Sequence, residues 1–332
     1  MCSSDLPPRC VSRALLLLLA LAAAGCGRRE TAVEQGNRAQ VLHRGVGYEV
    51  TELDPHLVTG VADGNVLRAL FEGLVTEDPV DLPPVPGVAE RWEISPDLKT
   101  YTFYLRTNAS WSTGEPITAE DFVYAFRRIL MPGLAAEYAS MLHALKNGEA
   151  FNTGKLKDPA QIGARATNPH TLVLTLEHPV PYLPAMLCHS SWFPVHRATI
   201  EKFGAADRRG SQWTRPGNLV GNGAFTLTEW KPNQLVRVRK SPNYWDAAKV
   251  RLQEAFFYPI ESEDAEERSF RSGMLHVTAT LPISKIAGYE KDPSGLYDPH
   301  VFLCTYVYRF NVNVPPLNDV RVRRALAMAI NR

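Results

Sequence analysis

The sequence has 332 residues, and its 36 Lys and Arg against 35 Asp and Glu give a formal net charge of +1. A charge this nearly balanced leaves no basic field for nucleic acid and excludes that class of partner. The chain also exceeds the length at which a single core usually keeps growing, so at least two lobes are expected.

The N-terminal segment has the pattern of an export signal. Arg9 and Arg13 precede an apolar run from Ala14 to Gly25, which is too short to cross a hydrocarbon core of about 30 Å. Small residues lead directly to Cys26, so residues 1–25 are predicted to be a lipoprotein signal peptide and Cys26 the site of lipid attachment. The alternative is an ordinary secretory cleavage at which Cys26 is incidental.

Lipid attachment would hold the exported protein in the periplasmic space or cell envelope, with the lipid as its one link to the membrane. Residues 26–40 are polar and lack apolar periodicity. They are therefore predicted to form a flexible tether that does not belong to the fold.

The middle of the chain alternates strand and helix patterns. Alternating aromatic and β-branched residues predict a strand over 98–106, and a second strand is predicted over 171–177. Between them, Thr118 with Asp121 three residues later forms the capping-box pattern of a helix start. The apolar face of that helix consists of Phe122, Phe126, Ile129 and Leu130, and Met131-Pro132-Gly133 ends it.

Two further elements are predicted near the C-terminus. A turn at 231–234 between two strand patterns indicates a hairpin. A last helix begins at Leu317-Asn318-Asp319, and its apolar stripe is still running at Arg332, which we take as the mark of a fragment. That stripe consists of Val322, Ala325, Leu326, Ala329 and Ile330.

The sequence contains no familiar catalytic or metal-binding signature, whether HExxH, CxxC, GxSxG or a P-loop. We therefore expect no enzyme activity, no metal site and no cofactor. His189 follows Cys188, but neighbours in sequence seldom point at one substrate atom. After export, Cys188 and Cys304 remain in an oxidising compartment and could pair with each other or with a group outside the chain.

Five blocks, in order, carry a resemblance to the family 5 extracellular solute-binding proteins, most closely those of the oligopeptide-binding type. Together they span residues 49–332. The blocks are EVTELDPHLVTGVADGNVLRALFEGL, then PGVAERWEISPDLKTYTFYLR through ASWSTGEPITAEDFVYAFRRIL, EHPVPYLPAMLCHSSWFPVHRATIEKFG, GNGAFTLTEWKPNQLVRVRKSPNYWD and LCTYVYRFNVNVPPLNDVRVRRALAMAI.

The resemblance implies an α/β fold like that of type II periplasmic binding proteins, with several lobes and a hinge. Lobe one would comprise residues 41–76 and 197–303, with lobe two inserted as 77–196. Residues 304–332 would begin a third lobe whose remainder is missing from the chain, so we expect the 332-residue form to bind no peptide tightly.

The resemblance also implies the ligand and the partners. The protein would be a monomer that closes around a short peptide and delivers it to the permease and ATPase subunits of an ABC importer. The backbone of Thr59, Gly60 and Val61 would contact the peptide, and His189 would line a ligand pocket. Cys304 matches a cysteine that, in the oligopeptide type, is disulfide-bonded to a lobe-three cysteine next to the ligand.

Other interpretations stay open at this stage. Relatives on the same scaffold carry nickel chelates, haem or oligosaccharides. Ala279 and Thr280 stand where the oligopeptide type has Tyr and Asn, so those two contacts are not carried over. An extracellular hydrolase would need a nucleophile and base, for which the only candidates are Cys188 and His189. A lipid-anchored sensor or chaperone would use the same cleft.

Overall fold

The computed structural model of the protein describes residues 30–299 and 307–331. These residues form two compact units, one ending at Pro282 and the other starting at Ile283. The first unit contains the mixture of helices and strands that the sequence predicts, and the described part of the second unit contains helices. Cys26 and Cys304 lie outside the described residues.

The elements follow one another in mixed order along the chain. The helices are α1 Ala32–Ala39, α2 Val61–Leu70, α3 Ala119–Ile129, α4 Gly148–Asn152, α5 Leu183–Met186, α6 Arg197–Lys202, α7 Glu263–Arg271, α8 Ile283–Tyr289 and α9 Val320–Met328. The strands are β1 Val41–Gly45, β2 Val75–Glu77, β3 Pro84–Pro86, β4 Ala89–Ile94, β5 Thr100–Leu105, β6 Ala164–Asn168, β7 Thr171–Thr175, β8 Phe225–Lys231, β9 Leu235–Lys240 and β10 Glu254–Tyr258.

One four-stranded sheet joins segments that are far apart in sequence. Its strand order is β1-β10-β9-β8, with β1 parallel to β10 and the other pairs antiparallel. The predicted hairpin is confirmed as β8 and β9, which turn where Gln234 N–H donates to Lys231 O at 3.0 Å. Val236 and Val238 point into the core, so alternation along β9 buries one face of the sheet.

A second four-stranded sheet is local in sequence. Its order is β4-β5-β7-β6, and all its pairs are antiparallel. The predicted strands over 98–106 and 171–177 are confirmed as β5 and β7. Their alternate residues are fully buried, as the pattern requires: Tyr101, Phe103, Leu172 and Leu174.

Helix α3 covers this second sheet and forms as predicted. The backbone N–H of Thr118 donates to Asp121 at 2.7 Å, and the hydroxyl of Thr118 approaches the same carboxylate oxygen at 3.0 Å. Phe122, Phe126 and Ile129 have no exposed area. A short 3-10 turn, Pro132–Leu134, follows the helix because proline cannot continue it.

The predicted flexible tether over 26–40 is wrong for its second half. Residues 32–39 form α1, and Thr31 and Glu34 cap its N-terminus with a reciprocal capping box. The N–H of Val33 donates to Gly273 O at 2.9 Å, so the helix is fixed to a segment far away in sequence. Its buried residue is Gly36. A glycine adds nothing to an apolar stripe, which is why periodicity missed this helix.

The two large sheets draw on different parts of the chain. The first uses strands from the segments assigned to lobe one, and the second uses strands from the segment assigned to lobe two. Both contribute to one continuous buried core within the first unit. The limits of the lobes stay a prediction. The division between the compact units, at Pro282, comes earlier than the predicted start of lobe three at residue 304.

The second unit contains α8 and α9. Helix α9 begins where predicted, because Asp319 caps it by accepting the N–H of Arg321 at 2.8 Å. Within the described residues its stripe is largely exposed, with Leu326 at 45% and Ile330 at 46%. No helix in residues 30–299 or 307–331 is long and apolar enough to span a bilayer.

Candidate functional site

The predicted ligand-contacting segment lies at the start of α2. Gly60 is its N-cap residue, Val61 is its first residue, and the side chain of Val61 is 81% exposed. In the described part of the chain, the backbone N–H groups of Thr59, Gly60 and Val61 donate to no protein acceptor. The first N–H groups of any helix lack partners inside the helix, so this end offers exposed donors to a bound acceptor.

The loop before α2 is held in place by the carboxylate of Asp63. Asp63 Oδ1 accepts the N–H groups of Thr51 at 2.6 Å and Glu52 at 3.1 Å. A Cβ on Gly60 would lie 2.3 Å from Asp63 Oδ2, while the φ of Gly60 is an ordinary −86°. A side chain at this position would therefore displace the Asp63 carboxylate that holds Thr51 and Glu52.

Below this loop, the LDPH motif forms a buried charged cluster with α3. Arg128 donates to both oxygens of Asp54, at 3.0 and 2.6 Å, and its side chain has no exposed area. Arg128 also donates to His56 Nδ1 at 2.9 Å and to Ala206 O at 2.8 Å. One guanidinium thus joins the loop before α2, helix α3 and the chain after α6.

Burial sets the charge states in this cluster. Burial opposes ionisation of Asp54, but the charge of Arg128 outweighs it and lowers the pKa of that carboxyl. Burial, with the charge of Arg128 added, lowers the pKa of His56 to about 4. His56 is therefore neutral at pH 7. It accepts from Arg128 at Nδ1 and donates from Nε2 to Phe193 O at 3.2 Å.

A second buried carboxylate organises the FEGL motif. Glu72 Oε1 accepts the hydroxyl of Tyr244 at 2.6 Å, and Oε2 accepts the indole N–H of Trp245 at 2.6 Å. The side-chain amide of Asn222 completes this hydrogen-bond network. It accepts the backbone N–H of Glu72 at 3.0 Å and donates to the backbone C=O of Glu72 at 2.8 Å. Burial raises the pKa of Glu72. The motif thereby connects α2 to the GNG and NYW segments.

Next to Glu72 lies an open cavity of about 430 Å³. Its wall includes Cys188, whose Sγ lies 3.6 Å from Pro184 O and whose pKa burial raises to about 11. A thiol this reluctant to ionise is a poor nucleophile. Other residues of the wall are Arg68, Glu77, Phe193 and Tyr244.

His189 is oriented away from any nucleophilic role with Cys188. Its Nδ1 accepts the N–H of Ser191 at 3.2 Å and lies 3.0 Å from the hydroxyl of the same serine. The ring packs edge-on against Tyr138, with centroids 4.9 Å apart, and burial lowers its pKa. Among residues 30–299 and 307–331, no group of His, Cys, Asp and Glu could hold a metal ion.

Sequence reasoning missed the partners that make these motifs rigid. Arg128 lies inside α3 between Phe126 and Ile129, and nothing local shows that it is fully buried. Tyr244, Trp245 and Asn222 lie in quoted blocks, but their common partner is distant in sequence. The available signal was the recurrence of acidic residues in LDPH and FEGL, since carboxylates inside apolar motifs require donors when buried.

The sequence and fold of this chain match those of known proteins. Residues 83–332 match the model of the bacterial extracellular solute-binding proteins, family 5 Middle. The chain is 42% identical over 296 residues to the periplasmic oligopeptide-binding protein OppA of Escherichia coli K12, covering 88% of this chain and 53% of that protein. The chain thus spans about half the length of the curated relatives it matches.

Solved structures agree. The chain superimposes on OppA of Burkholderia pseudomallei with a TM-score of 0.83 and 36% identity, over 88% of this chain and 56% of that one. For Haemophilus influenzae OppA in complex with RPPGFSPFR, the TM-score is 0.80 and the identity 34%, with the same coverage of 88% and 56%. These matches confirm the predicted fold class, the mixed α/β fold of periplasmic binding proteins, present here in part.

Proposed function

The chain belongs to the family 5 bacterial extracellular solute-binding proteins, and from this membership we propose that it captures short peptides outside the cytoplasm for an ABC importer. The observation that carries the proposal is the row of exposed N–H donors at Thr59, Gly60 and Val61. A protein that accepts many peptides must contact groups that all peptides share, and the backbone carbonyl is one of them.

The hydrogen bonds that hold the loop of these donors in place suit such a role. Asp63, Glu52 and the Asp54–Arg128 pair fix the loop before α2 through buried or half-buried hydrogen bonds. Donors that are already in place lose little entropy when a ligand binds, so each hydrogen bond contributes more fully to affinity. Similar proteins are named for oligopeptides, and one was solved with RPPGFSPFR.

The proposal includes partners and location. A peptide that touches both walls of a cleft would stabilise the closed state by its differential affinity, and the permease and ATPase subunits would respond to that state. A lipid on Cys26 would hold the protein at the membrane, on the side away from the cytoplasm. His189 and Cys304 are proposed to lie beside the ligand.

Proline scanning of the donors tests the proposal. Val61→Pro removes one N–H at the first helical position, where proline is tolerated, and Gly60 already has the extended backbone that a residue before proline prefers. We expect peptide affinity of the protein purified from its native cell to fall about tenfold, the effect of one hydrogen bond of about 1.4 kcal/mol. Val61→Ala, which keeps the N–H, is the matched control. Equal affinity of the two variants would contradict a backbone contact here.

The ligand class is tested separately by calorimetry of the protein purified from its native cell with a mixed library of peptides of two to five residues. Binding heat with peptides supports the proposal. Binding heat with a nickel chelate, haem or an oligosaccharide, and none with any peptide, would show that the protein takes up that ligand instead of peptides.

A further inference from the structure

Helix α1 shortens the connection between the proposed lipid anchor and the folded protein. Its N-cap is Thr31, whose hydroxyl accepts the N–H of Glu34 at 3.1 Å while Glu34 accepts the N–H of Thr31 at 2.8 Å. Only five residue steps separate Cys26 from Thr31. Fully extended, five steps reach at most about 17 Å.

The helix is attached firmly enough for this limit to apply. Val33 N–H donates to Gly273 O at 2.9 Å, and a Cβ on Gly273 would lie 2.8 Å from Thr31 Cβ. A Cβ on Gly36 would lie 2.5 Å from Val41 O, so α1 packs closely on the start of β1. Thr31 and the turn after α7 therefore move together with the first sheet.

From this geometry we propose that the surface formed by Thr31, Arg271, Gly273 and Met274 faces the lipid bilayer and touches its headgroups. The proposal rests on the lipid anchoring of Cys26 proposed above. A protein body whose attachment point lies within about 17 Å of the acylated residue cannot turn this surface far from the membrane. A flexible tether over 26–40 would have allowed any orientation.

The chemistry of the surface fits an anionic bilayer. Met274 is 53% exposed next to the attachment point. The side chain of Arg271 is 69% exposed at the end of α7, and its long 3.8 Å ion pair with Glu267 leaves the outer side of the guanidinium facing solvent. Arg28 and Arg29 lie within the five-residue connection itself. Basic residues held within a Debye length of anionic headgroups are attracted to them, and an exposed methionine suits the interfacial region.

Accessibility to a bulky reagent tests the orientation. Met274→Cys is made in a Cys188→Ala, Cys304→Ser background of the lipidated protein and reconstituted in phosphatidylcholine vesicles containing one-fifth phosphatidylglycerol. The rate of modification by polyethylene-glycol maleimide is compared with a variant that carries a long Gly-Ser insertion between Arg29 and Glu30. We expect the native connection to slow modification at position 274 at least about fivefold relative to the insertion. Val80→Cys, at an 82% exposed residue outside the first sheet, is the reference site and should change less than about twofold.

The outcomes separate the inference from its premise. Equal rates at position 274 with and without the insertion, in protein that stays with the vesicles after a carbonate wash, would overturn the orientation and leave lipid anchoring standing. Release by the carbonate wash and failure to incorporate labelled palmitate would overturn both. Slowed modification that the insertion relieves would support the proposal.

Discussion

At the scale of single residues, two buried carboxylates give the motifs of this chain their physical meaning. Asp54 and Glu72 belong to short acidic-apolar motifs, and each accepts strong hydrogen bonds from partners far away in sequence. Buried charge is tolerated only when it is paired or hydrogen-bonded, so each carboxylate fixes where its partners must lie. The loop carrying Thr59, Gly60 and Val61 gains its rigidity from residues that do not touch the proposed ligand.

The buried pair predicts a large loss of stability on truncation. Arg128→Met leaves Asp54 buried without a counter-charge, and we expect the free energy of unfolding to fall by about 3–5 kcal/mol. Arg197→Met is the matched control, because Arg197 pairs with Glu201 on the surface and should cost less than about 1 kcal/mol. Denaturant unfolding measures both. Similar small losses in the two variants would show that the Asp54–Arg128 pair is not a structural link.

His56 predicts a pH dependence with a definite sign. Its pKa is about 4 in the fold against 6.5 when exposed, so between these values the unfolded chain binds a proton that the folded protein does not. Its contribution to stability is complete above pH 6.5 and is lost as the pH falls toward 4, at no more than about 1.4 kcal/mol per pH unit. We expect His56→Gln to flatten this part of the curve of unfolding free energy against pH. An unchanged slope would contradict a neutral buried imidazole.

At the scale of secondary structure, α1 and α2 show how the surroundings decide the effect of a glycine. Both helices contain an interior glycine, and helix propensity alone treats the two alike. The space around them differs, however. A Cβ at Gly36 would meet Val41 O and the ring of His276, whereas a Cβ at Gly64 would meet nothing within 4 Å.

Alanine at the two positions should therefore have opposite effects. Gly64→Ala is expected to raise the free energy of unfolding by up to about 1 kcal/mol, the intrinsic preference for alanine. Gly36→Ala is expected to lower it by about 1–3 kcal/mol, because a backbone oxygen cannot move aside cheaply. Hydrogen exchange should show that α1 amides lose protection only in Gly36→Ala. Gain of stability in both variants would mean that α1 does not pack on β1 as described.

At the scale of the whole molecule, the first unit has one core although it contains two large sheets. The strands of the first sheet come from both ends of the unit, and the second sheet is inserted between them. The Asp54–Arg128 pair ties the inserted segment to the enclosing chain. The hydrogen bonds of Glu72 to Tyr244 and Asn222 tie the two enclosing segments to each other. Such long-range connections favour cooperative unfolding of residues 30–282.

Limited proteolysis can locate the edge of this unit. Because buried contacts fall into units that divide at Pro282, we expect a resistant fragment that ends shortly after residue 282. Mass spectrometry of the fragment gives its end directly. A fragment that extends to about residue 303 would support the boundary predicted from the resemblance instead.

Local pattern was sufficient for much of the fold. Helix α3 is determined by the capping pair Thr118 and Asp121 and by the apolar face that follows them. Alternation of buried and exposed residues determines β5 and β7, and the turn at 231–234 determines the hairpin of β8 and β9. These elements are decided by residues within a few positions of one another, which is the range that periodicity and capping report. The resemblance of the five blocks identified the family for the same reason, since each block is contiguous.

Tertiary structure decided what depends on distant partners. Helix α1 is held by Gly273 and by close packing at Gly36, so its sequence looked like a tether. Arg128 is buried because Asp54 and His56 lie beside it, and a side chain at Gly60 would meet the Asp63 carboxylate. None of these contacts leaves a periodic trace along the chain, because burial of a polar group or closeness to a backbone depends on atoms that only folding brings near.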